Sequence, residues 1–365
     1  MTRSAATITF RKLLATDPTL LRVRLELARA YFLLRNWEYA RREFVAVLSG
    51  RLPKPVRQNV LGLIRSIDAR QGFDWSLTAA LSPNLTQTRD YVTDEASVLL
   101  NGQRLTFRMK RRDPPPFTVD INGAAELRRD AGKLNGTELV AYGVGFFAVS
   151  EAPETMDDKH LVGLRVGVRA IRPVITASAG LRASHRRLLG DDYESRIGLE
   201  LGIDRRFADG LSVFGTAGGD MLDAHDRQDR DGIAAKLRVG VSRAFSGLGA
   251  AGFALSINHE AAQTNYLGFD EVRAEIFGYG DLGYGVRTDG AVFATHLMFG
   301  AVQPPFETTR GDTEFGADVT LTKQDFVVME AFTPFVKLGA SRRRSSIEAF
   351  GYDELRFGVG LRRAF

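Results

Sequence analysis

From Phe73 onward the chain alternates apolar residues with polar or small ones, and this period of two is the strongest constraint on its fold. In the last segment, for example, Phe357, Val359 and Leu361 alternate with glycine and arginine. Successive side chains of a strand point to opposite faces, so each segment predicts a strand with one apolar and one polar face. We predict strands, each about 10–14 residues long, at 73–83, 117–127, 138–149, 160–171, 174–185, 194–206, 211–221, 232–244, 250–261, 271–283, 286–299, 312–322, 331–343 and 353–365.

Alternation would also fit a soluble β-sandwich with one wet face. An even number of strands, each long enough to cross a membrane at a tilt, favours a membrane barrel instead. The connections are also predicted to alternate between long, charged loops and short turns, as in bacterial barrels, although Arg128–Gly136 is long for a turn. The predicted long loops are Glu151–Lys159, Arg186–Asp192, Asp223–Asp231 and Gln303–Gly311.

The composition of the chain excludes or disfavours several other classes of protein. No apolar run reaches the ~18 uncharged residues of a membrane helix, which excludes a helical membrane protein. The chain has no cysteine, so disulfides, thiol catalysis and cysteine-bound metals are excluded. The net charge is +5, but the basic residues are dispersed along strand-like segments, and the cluster Arg342–Arg344 is short and lies at a predicted strand end, which argues against nucleic acid as a partner.

A helical pattern precedes the strands. Ala6 and Phe10 match Ala40 and Phe44 after a shift of about 34 residues, which is the period of tetratricopeptide repeats, two helices per unit. We therefore predict an all-α domain over residues 1–71 and a barrel over 72–365. The residues expected to pack this repeat are Leu27, Ala28, Tyr31, Ala40 and Phe44.

The start of this helical domain looks incomplete. Residues 4–15 match the second helix of a repeat whose first helix is missing, and half a repeat cannot bury its apolar face. We expect the natural protein to begin further upstream, with a signal peptide in that part. A further helix is predicted over Pro55–Arg70, leading into the first strand.

The polar faces and the last strand carry the predicted functional residues. Inward charges of both signs need water or partners, so the barrel is expected to have a wet lumen. The residues predicted to face it are Arg165, Arg169, Arg196, Glu200, Lys236, Arg238 and Arg356. A terminal aromatic after an alternating strand resembles the signal read by the barrel insertion machinery. Its residues are Phe365, Leu361, Val359 and Phe357, and Arg363 departs from the usual apolar pattern.

No catalytic set or cofactor site is predicted. Some outer-membrane barrels hydrolyse lipids with Ser and His, but Ser184 and His185 are neighbours, so they point to opposite faces of a strand. Asn258 and His259 are also neighbours, so their side chains likewise point to opposite faces of a strand. The acidic residues around His225 are interleaved with arginines, which favours a solvated loop over a cation site. The glycines between Gly278 and Gly285 precede no helix, so they do not predict a phosphate loop.

The segment Leu85–Pro116 is too long for a simple hairpin loop. It is expected to fold into the lumen as a plug, to cover the outer mouth, or to remain a surface loop.

The order of parts resembles the surface lipoprotein assembly modulator (Slam) family, in which a periplasmic tetratricopeptide domain precedes a fourteen-stranded outer-membrane barrel. The resemblance rests on the helical pair Arg22–Leu48, the helix Pro53–Arg70 and the strand entry Phe73–Asn84. It implies a monomeric, non-enzymatic translocator that moves lipoproteins or secreted partner proteins to the cell surface. The chain's short helical domain departs from the family. An outer-membrane porin or solute channel with a helical extension is the alternative.

Overall fold

The computed structural model describes residues 7, 9–11, 13–14, 17, 20–34, 36–48, 52–71, 75–91, 95–100, 103–108, 118–152, 158–207, 209–245, 249–326, 328 and 332–364. The chain divides into two compact units, of which one comprises residues 1–77 with 127–130 and the other the rest.

The described part of the first unit includes the helices α1 (Leu21–Leu33), α2 (Trp37–Leu48) and α3 (Lys54–Gln71). Ala28 of α1 and Ala40 of α2 are both fully buried, and their small side chains allow the two helices to pack closely. The remaining buried core residues are Leu27, Tyr31, Phe44, Val47, Val60, Ile64 and Ile67. All five residues predicted to pack the helices therefore lie in this core. None of the helices that the structure describes combines the length and hydropathy needed to cross a membrane.

The second unit is a closed antiparallel barrel of fourteen strands among the described residues, which confirms the predicted mainly-β barrel. Its strands are β1 (Trp75–Tyr91), β4 (Thr118–Leu134), β5 (Thr137–Glu151), β6 (Lys159–Ile171), β7 (Ile175–Leu188), β8 (Asp191–Arg206), β9 (Leu211–Ala224), β10 (Gly232–Phe245), β11 (Gly249–Ala262), β12 (Phe269–Asp281), β13 (Val286–Val302), β14 (Thr309–Lys323), β15 (Thr333–Ser345) and β16 (Tyr352–Ala364). Neighbours in the chain pair with one another, and β1 pairs with β16 to close the ring, with Ala80 opposite Ala364.

Two further strands lie outside the ring. β2 (Glu95–Leu100) and β3 (Gln103–Arg108) pair only with each other, and β2 lies beside the 3-10 turn Glu348–Phe350 that joins β15 to β16. The predicted loop Leu85–Pro116 is thus partly strand β1 and partly this hairpin. Residues 109–117 lie outside the described part of the chain.

The two faces of the barrel wall differ in chemistry. On β8, the apolar residues Ile197, Leu199 and Leu201 point to one face, where Leu199 is 61% exposed. The alternate residues are charged or glycine, and the charged Arg196 and Glu200 pair with side chains on other strands. Arg196 of β8 reaches Glu260 of β11 across two intervening strands. Strands are about 4.8 Å apart, so such a contact requires the concave side of the sheet. The charged face therefore lines the lumen, and the apolar face is the outer face.

The connections define two ends of the barrel. We call the end holding the links β5–β6, β7–β8 and β9–β10 the mouth end, and the opposite end the turn end. Two connections differ from prediction. The predicted long turn Arg128–Gly136 is strand up to Leu134, followed by Asn135 and Gly136, both at positive φ. The predicted loop Arg186–Asp192 is likewise a two-residue turn, Leu189–Gly190, also at positive φ. Such turns match the twist of a hairpin, so strands continue to the turn.

Candidate functional site in the barrel lumen

The lumen face of β6 to β9 carries a chain of ion pairs. Arg182 of β7 lies between two carboxylates, donating to Asp220 of β9 (Nε to Oδ1, 2.5 Å) and to Glu200 of β8 (Nη1 to Oε2, 3.3 Å). Arg165 of β6 also approaches Glu200, at 3.6 Å. Asp220 is only 5% exposed, so its charge depends on these donors rather than on water.

A second group lies nearer the mouth end, around Glu194 of β8, which is 4% exposed. Its carboxylate accepts from Arg196 at 3.1 Å and from Arg230 at 3.2 Å, and Arg186 lies at 3.6 Å. Arg196 continues to Glu260 at 2.9 Å. These contacts join the strands β7, β8 and β11 to the loop that follows β9, and they fix that part of the wall from the inside.

Ion pairs also line the opposite part of the lumen. Arg356 of β16 donates to Asp318 of β14 (Nη2 to Oδ1, 3.1 Å) and also pairs with Glu354. Arg343 of β15 donates to Glu314 at 2.6 Å. Closely spaced charges of opposite sign on the wall produce a strongly polar interior that favours hydrated or charged cargo over apolar molecules.

Lys236 of β10 differs from the lumen arginines. In the part of the chain that the structure describes, the ammonium group of Lys236 forms no ion pair with a carboxylate within 4.0 Å. The side chain borders a lumen cavity of about 370 Å³, whose other lining residues include Arg165, Arg186, Asn258 and Glu260. Lys236 therefore presents a positive charge to whatever occupies this cavity.

The structure places all seven residues predicted to face the lumen on the charged face of their strands. Only some of the seven contact one another. Arg165 and Glu200 form an ion pair, whereas Arg169 pairs with Glu126 of β4 at 3.2 Å. Arg238 pairs with Glu275 of β12 at 3.0 Å. The carboxylate partners of these residues, apart from Glu200, lay outside the prediction.

The acidic residues of the β9–β10 link are held by neighbouring arginines. Arg227 donates to Asp229 at 2.6 Å, and Arg230 donates to Asp226 at 2.8 Å. The hydrogen bond from Arg227 keeps the pKa of Asp229 below its usual value, and the same bond raises the pKa of Arg227. Within the described residues, no group of three or more His, Asp or Glu could hold a metal ion.

Other predicted sequence features occupy ordinary structural positions. Gly278 and Gly280 lie within β12, whereas Gly283 and Gly285 have positive φ in the turn that follows it. Phe357, Val359 and Leu361 occupy the outer face of β16, and Phe365 lies outside the described residues. Their role as an insertion signal remains a prediction.

Sequence reasoning missed one polar group on the outer face. His185 of β7 lies opposite Ser195 of β8, with 3.0 Å between Nδ1 and Oγ. Its Nε2 lies 3.1 Å from Asp192, and His225 approaches Ser195 at 2.9 Å. The sequence alone points only to Ser184, the chain neighbour of His185, which lies on the other face of the strand. Gly190 marks a turn between these strands, but the pairing of His185 with Ser195 also needs the bulge at Arg186–Arg187, which could not be read from the sequence.

The sequence matches no protein-family model and no curated protein sequence. Among solved structures, OmpT of Vibrio cholerae is similar with a TM-score of 0.45 and 8% identity, covering 80% of this chain and 97% of that one. OccK1 (OpdK) of Pseudomonas aeruginosa gives 0.39 and 12%, covering 80% and 99%. The toluene transporter TodX of P. putida gives 0.39 and 10%, covering 79% and 90%. Similarities at this level identify neither a family nor a function for this chain.

Proposed function

We propose that this protein is a bacterial outer-membrane barrel that carries polar cargo through its lumen, and that its cargo is a lipoprotein or a secreted protein. The observation that carries the proposal is the division of one closed wall into an apolar outer face and a charged lumen face. A closed barrel leaves no strand edge unpaired, so it satisfies its backbone hydrogen bonds within a lipid bilayer.

The apolar outer face supports a membrane location. Leu199, Ile197 and Leu164 are each more than half exposed, although they lie in the middle of strands where an aqueous protein would place polar residues. Lipid would cover such a surface. In this arrangement the helical unit, which precedes β1, is proposed to lie in the periplasm.

Export of a protein client is supported by the helical unit placed before the barrel and by the resemblance to the surface lipoprotein assembly modulators. Tetratricopeptide-type helices commonly present a groove to a partner chain. The ion pairs of the lumen supply the polar wall, and the β2–β3 hairpin beside Glu348–Phe350 supplies a segment that can restrict the mouth.

A diffusion channel for small solutes is the second candidate, favoured by the lumen cavity beside Lys236. The two functions differ in conductance. A diffusion channel conducts steadily as a purified protein, whereas an exporter remains mostly closed until its client or a deletion opens it.

The first experiment is co-expression of the full chain with a candidate surface lipoprotein, followed by protease treatment of intact cells. Export predicts that digestion of the lipoprotein at the surface requires this protein. Equal digestion with and without it would rule out export of that client.

The second experiment measures conductance in planar bilayers for the intact protein and for a variant lacking residues 95–108. An exporter is expected to conduct little until the hairpin is removed. Steady conductance of the intact protein that the deletion leaves unchanged would favour the diffusion channel and would remove the hairpin as a gate.

A further inference from the structure

The polar group on the outer face brings together a histidine, a serine and an aspartate. His185 projects from β7, Ser195 from β8 directly opposite, and Asp192 from the start of β8. The distances are 3.0 Å between His185 Nδ1 and Ser195 Oγ, and 3.1 Å between His185 Nε2 and Asp192 Oδ1. A nucleophile within hydrogen-bond reach of a base, itself oriented by an acid, is the arrangement that activates serine.

The hydrogen bonds assign the proton on His185. An ionised carboxylate only accepts, so Nε2 of His185 carries the hydrogen and donates it to Asp192. Nδ1 then has its lone pair free and accepts from the hydroxyl of Ser195. This is the tautomer in which an imidazole can remove the serine proton.

His225 completes the group. Its Nε2 lies 2.9 Å from Ser195 Oγ, and because the Ser195 proton is directed to His185, the nitrogen of His225 is the donor in this contact. A donor beside the nucleophile lies near the carbonyl carbon that Ser195 would attack, and it could there stabilise the negative charge that develops on the carbonyl oxygen.

The position of Ser195 on the wall selects the substrate class. On the side of Ser195 toward the middle of the strands lie Ile197 and, paired with it, Met221 of β9. They are 60% and 68% exposed on the outer face. Toward the mouth end it meets the ion pair between Arg187 and Asp192 (3.2 Å). The serine thus lies where an apolar surface changes to a charged one, which in a bilayer is the depth of the ester groups of lipids.

We propose that Ser195, His185 and Asp192 form a hydrolytic site on the outer face, and that its substrate is a fatty-acyl ester of a membrane lipid. Ser195 Oγ bonds to the ester carbonyl carbon while its proton passes to His185. The bond to the leaving alcohol then breaks, and His185 protonates that alcohol.

The second half-reaction uses water, which attacks the acyl-serine as His185 takes one of its protons. The acyl–serine bond breaks, Ser195 regains the proton, and a fatty acid leaves. The balance is one ester and one water consumed, with one acid and one alcohol formed. This activity is separate from passage through the lumen, since the group lies on the opposite face of the wall.

The test uses the full chain refolded in vesicles of phosphatidylethanolamine and phosphatidylglycerol that carry a fluorescent acyl ester. We expect release of the labelled fatty acid, and a loss of at least about 100-fold in rate for Ser195→Ala and for His185→Ala. Ser184→Ala is the matched control, because this serine neighbours His185 in sequence but lies on the lumen face, and its rate should be unchanged.

A second measurement is independent of the substrate. A fluorophosphonate probe is expected to modify Ser195 of the folded wild-type protein, identified by mass spectrometry, and His185→Gln should abolish that modification. Heat-modifiable migration on gels verifies that each variant is folded. Absence of both acyl release and probe modification in the folded protein would overturn the proposal, as would a rate that survives Ser195→Ala.

Discussion

Arg196 of β8 donates to Glu260 of β11 with 2.9 Å between Nη2 and Oε2, although β9 and β10 lie between these strands. The same guanidinium donates to Glu194, which is nearly excluded from solvent. We predict that Arg196→Met destabilises the barrel by about 1–3 kcal/mol, because two shielded carboxylates lose a donor. Urea unfolding in vesicles measures the change. Arg206→Met on the same strand, whose side chain is 78% exposed, should change stability by no more than about 0.5 kcal/mol.

Two outer-face residues with the same exposure test whether the outer face of the barrel contacts lipid. Leu199 and Ile233 are both 61% exposed, but Leu199 lies mid-strand and Ile233 lies at the mouth end of β10. In a bilayer, Leu199→Arg should cost about 2–4 kcal/mol and Ile233→Arg no more than about 1 kcal/mol. Unfolding titrations in vesicles measure both. Equal costs for the two variants would contradict a lipid-facing wall.

Lys236 should set the ion preference of the lumen, because its charge has no carboxylate partner within 4.0 Å among the described residues. In the conducting hairpin-deleted protein, Lys236→Gln should shift the reversal potential under a salt gradient toward cation selectivity. Arg205→Gln removes the same charge from the outer face and should leave the potential unchanged. Identical shifts for both variants would show that net charge, rather than position, is responsible.

Gly167 of β6 and Gly180 of β7 are paired, and the hydroxyl of Tyr142 lies over both. A methyl group at Gly167 would come within 2.8 Å of Gly180 Cα and 2.9 Å of the Tyr142 hydroxyl. We predict that Gly167→Ala costs about 1–3 kcal/mol through overpacking, measured as a lower thermal midpoint. Gly145→Ala, where no atom of the described residues lies within 4 Å of the added methyl group, is expected to be neutral or slightly stabilising. Equal effects would remove the steric explanation.

The helical unit depends on Phe44, which is fully buried, whereas its neighbour Val45 is 45% exposed. Phe44→Ala should destabilise this unit by about 3–5 kcal/mol, and Val45→Ala should have little effect. Limited proteolysis of the two variants would show faster cleavage within α1–α3 for Phe44→Ala only. Resistance of that variant to the protease would mean that the helices are held by contacts other than this core.

The strands were predictable because alternation is a local property of each segment. Charged residues at strand ends were the main source of error, as at Arg186, Arg187 and Asp192, where charge suggested a loop. These residues lie at the mouth end, beyond the apolar part of the outer face, so charge there is compatible with a strand.

The lumen face could also be predicted, since alternation assigns each residue to a side. Its ion partners could not, because they depend on the stagger between strands that are distant in the chain, as for Arg182 and Asp220. The group around Ser195 was missed for a related reason. The Leu189–Gly190 turn alone would place Glu194 opposite His185, and the bulge between Arg186 and Arg187 shifts the register so that Ser195 lies there instead.

The pairing of Ala80 with Ala364 has a consequence for how the barrel is made. Each hairpin can form starting from its own turn. The β1–β16 pairing, the seam that closes the ring, joins segments near the two ends of the unit, so forming it has the largest loop-closure entropy cost. Until that seam forms, β1 and β16 are open edges that invite pairing with other chains. If the hairpins form first, this seam is the last to close, and its closure removes both edges in one step.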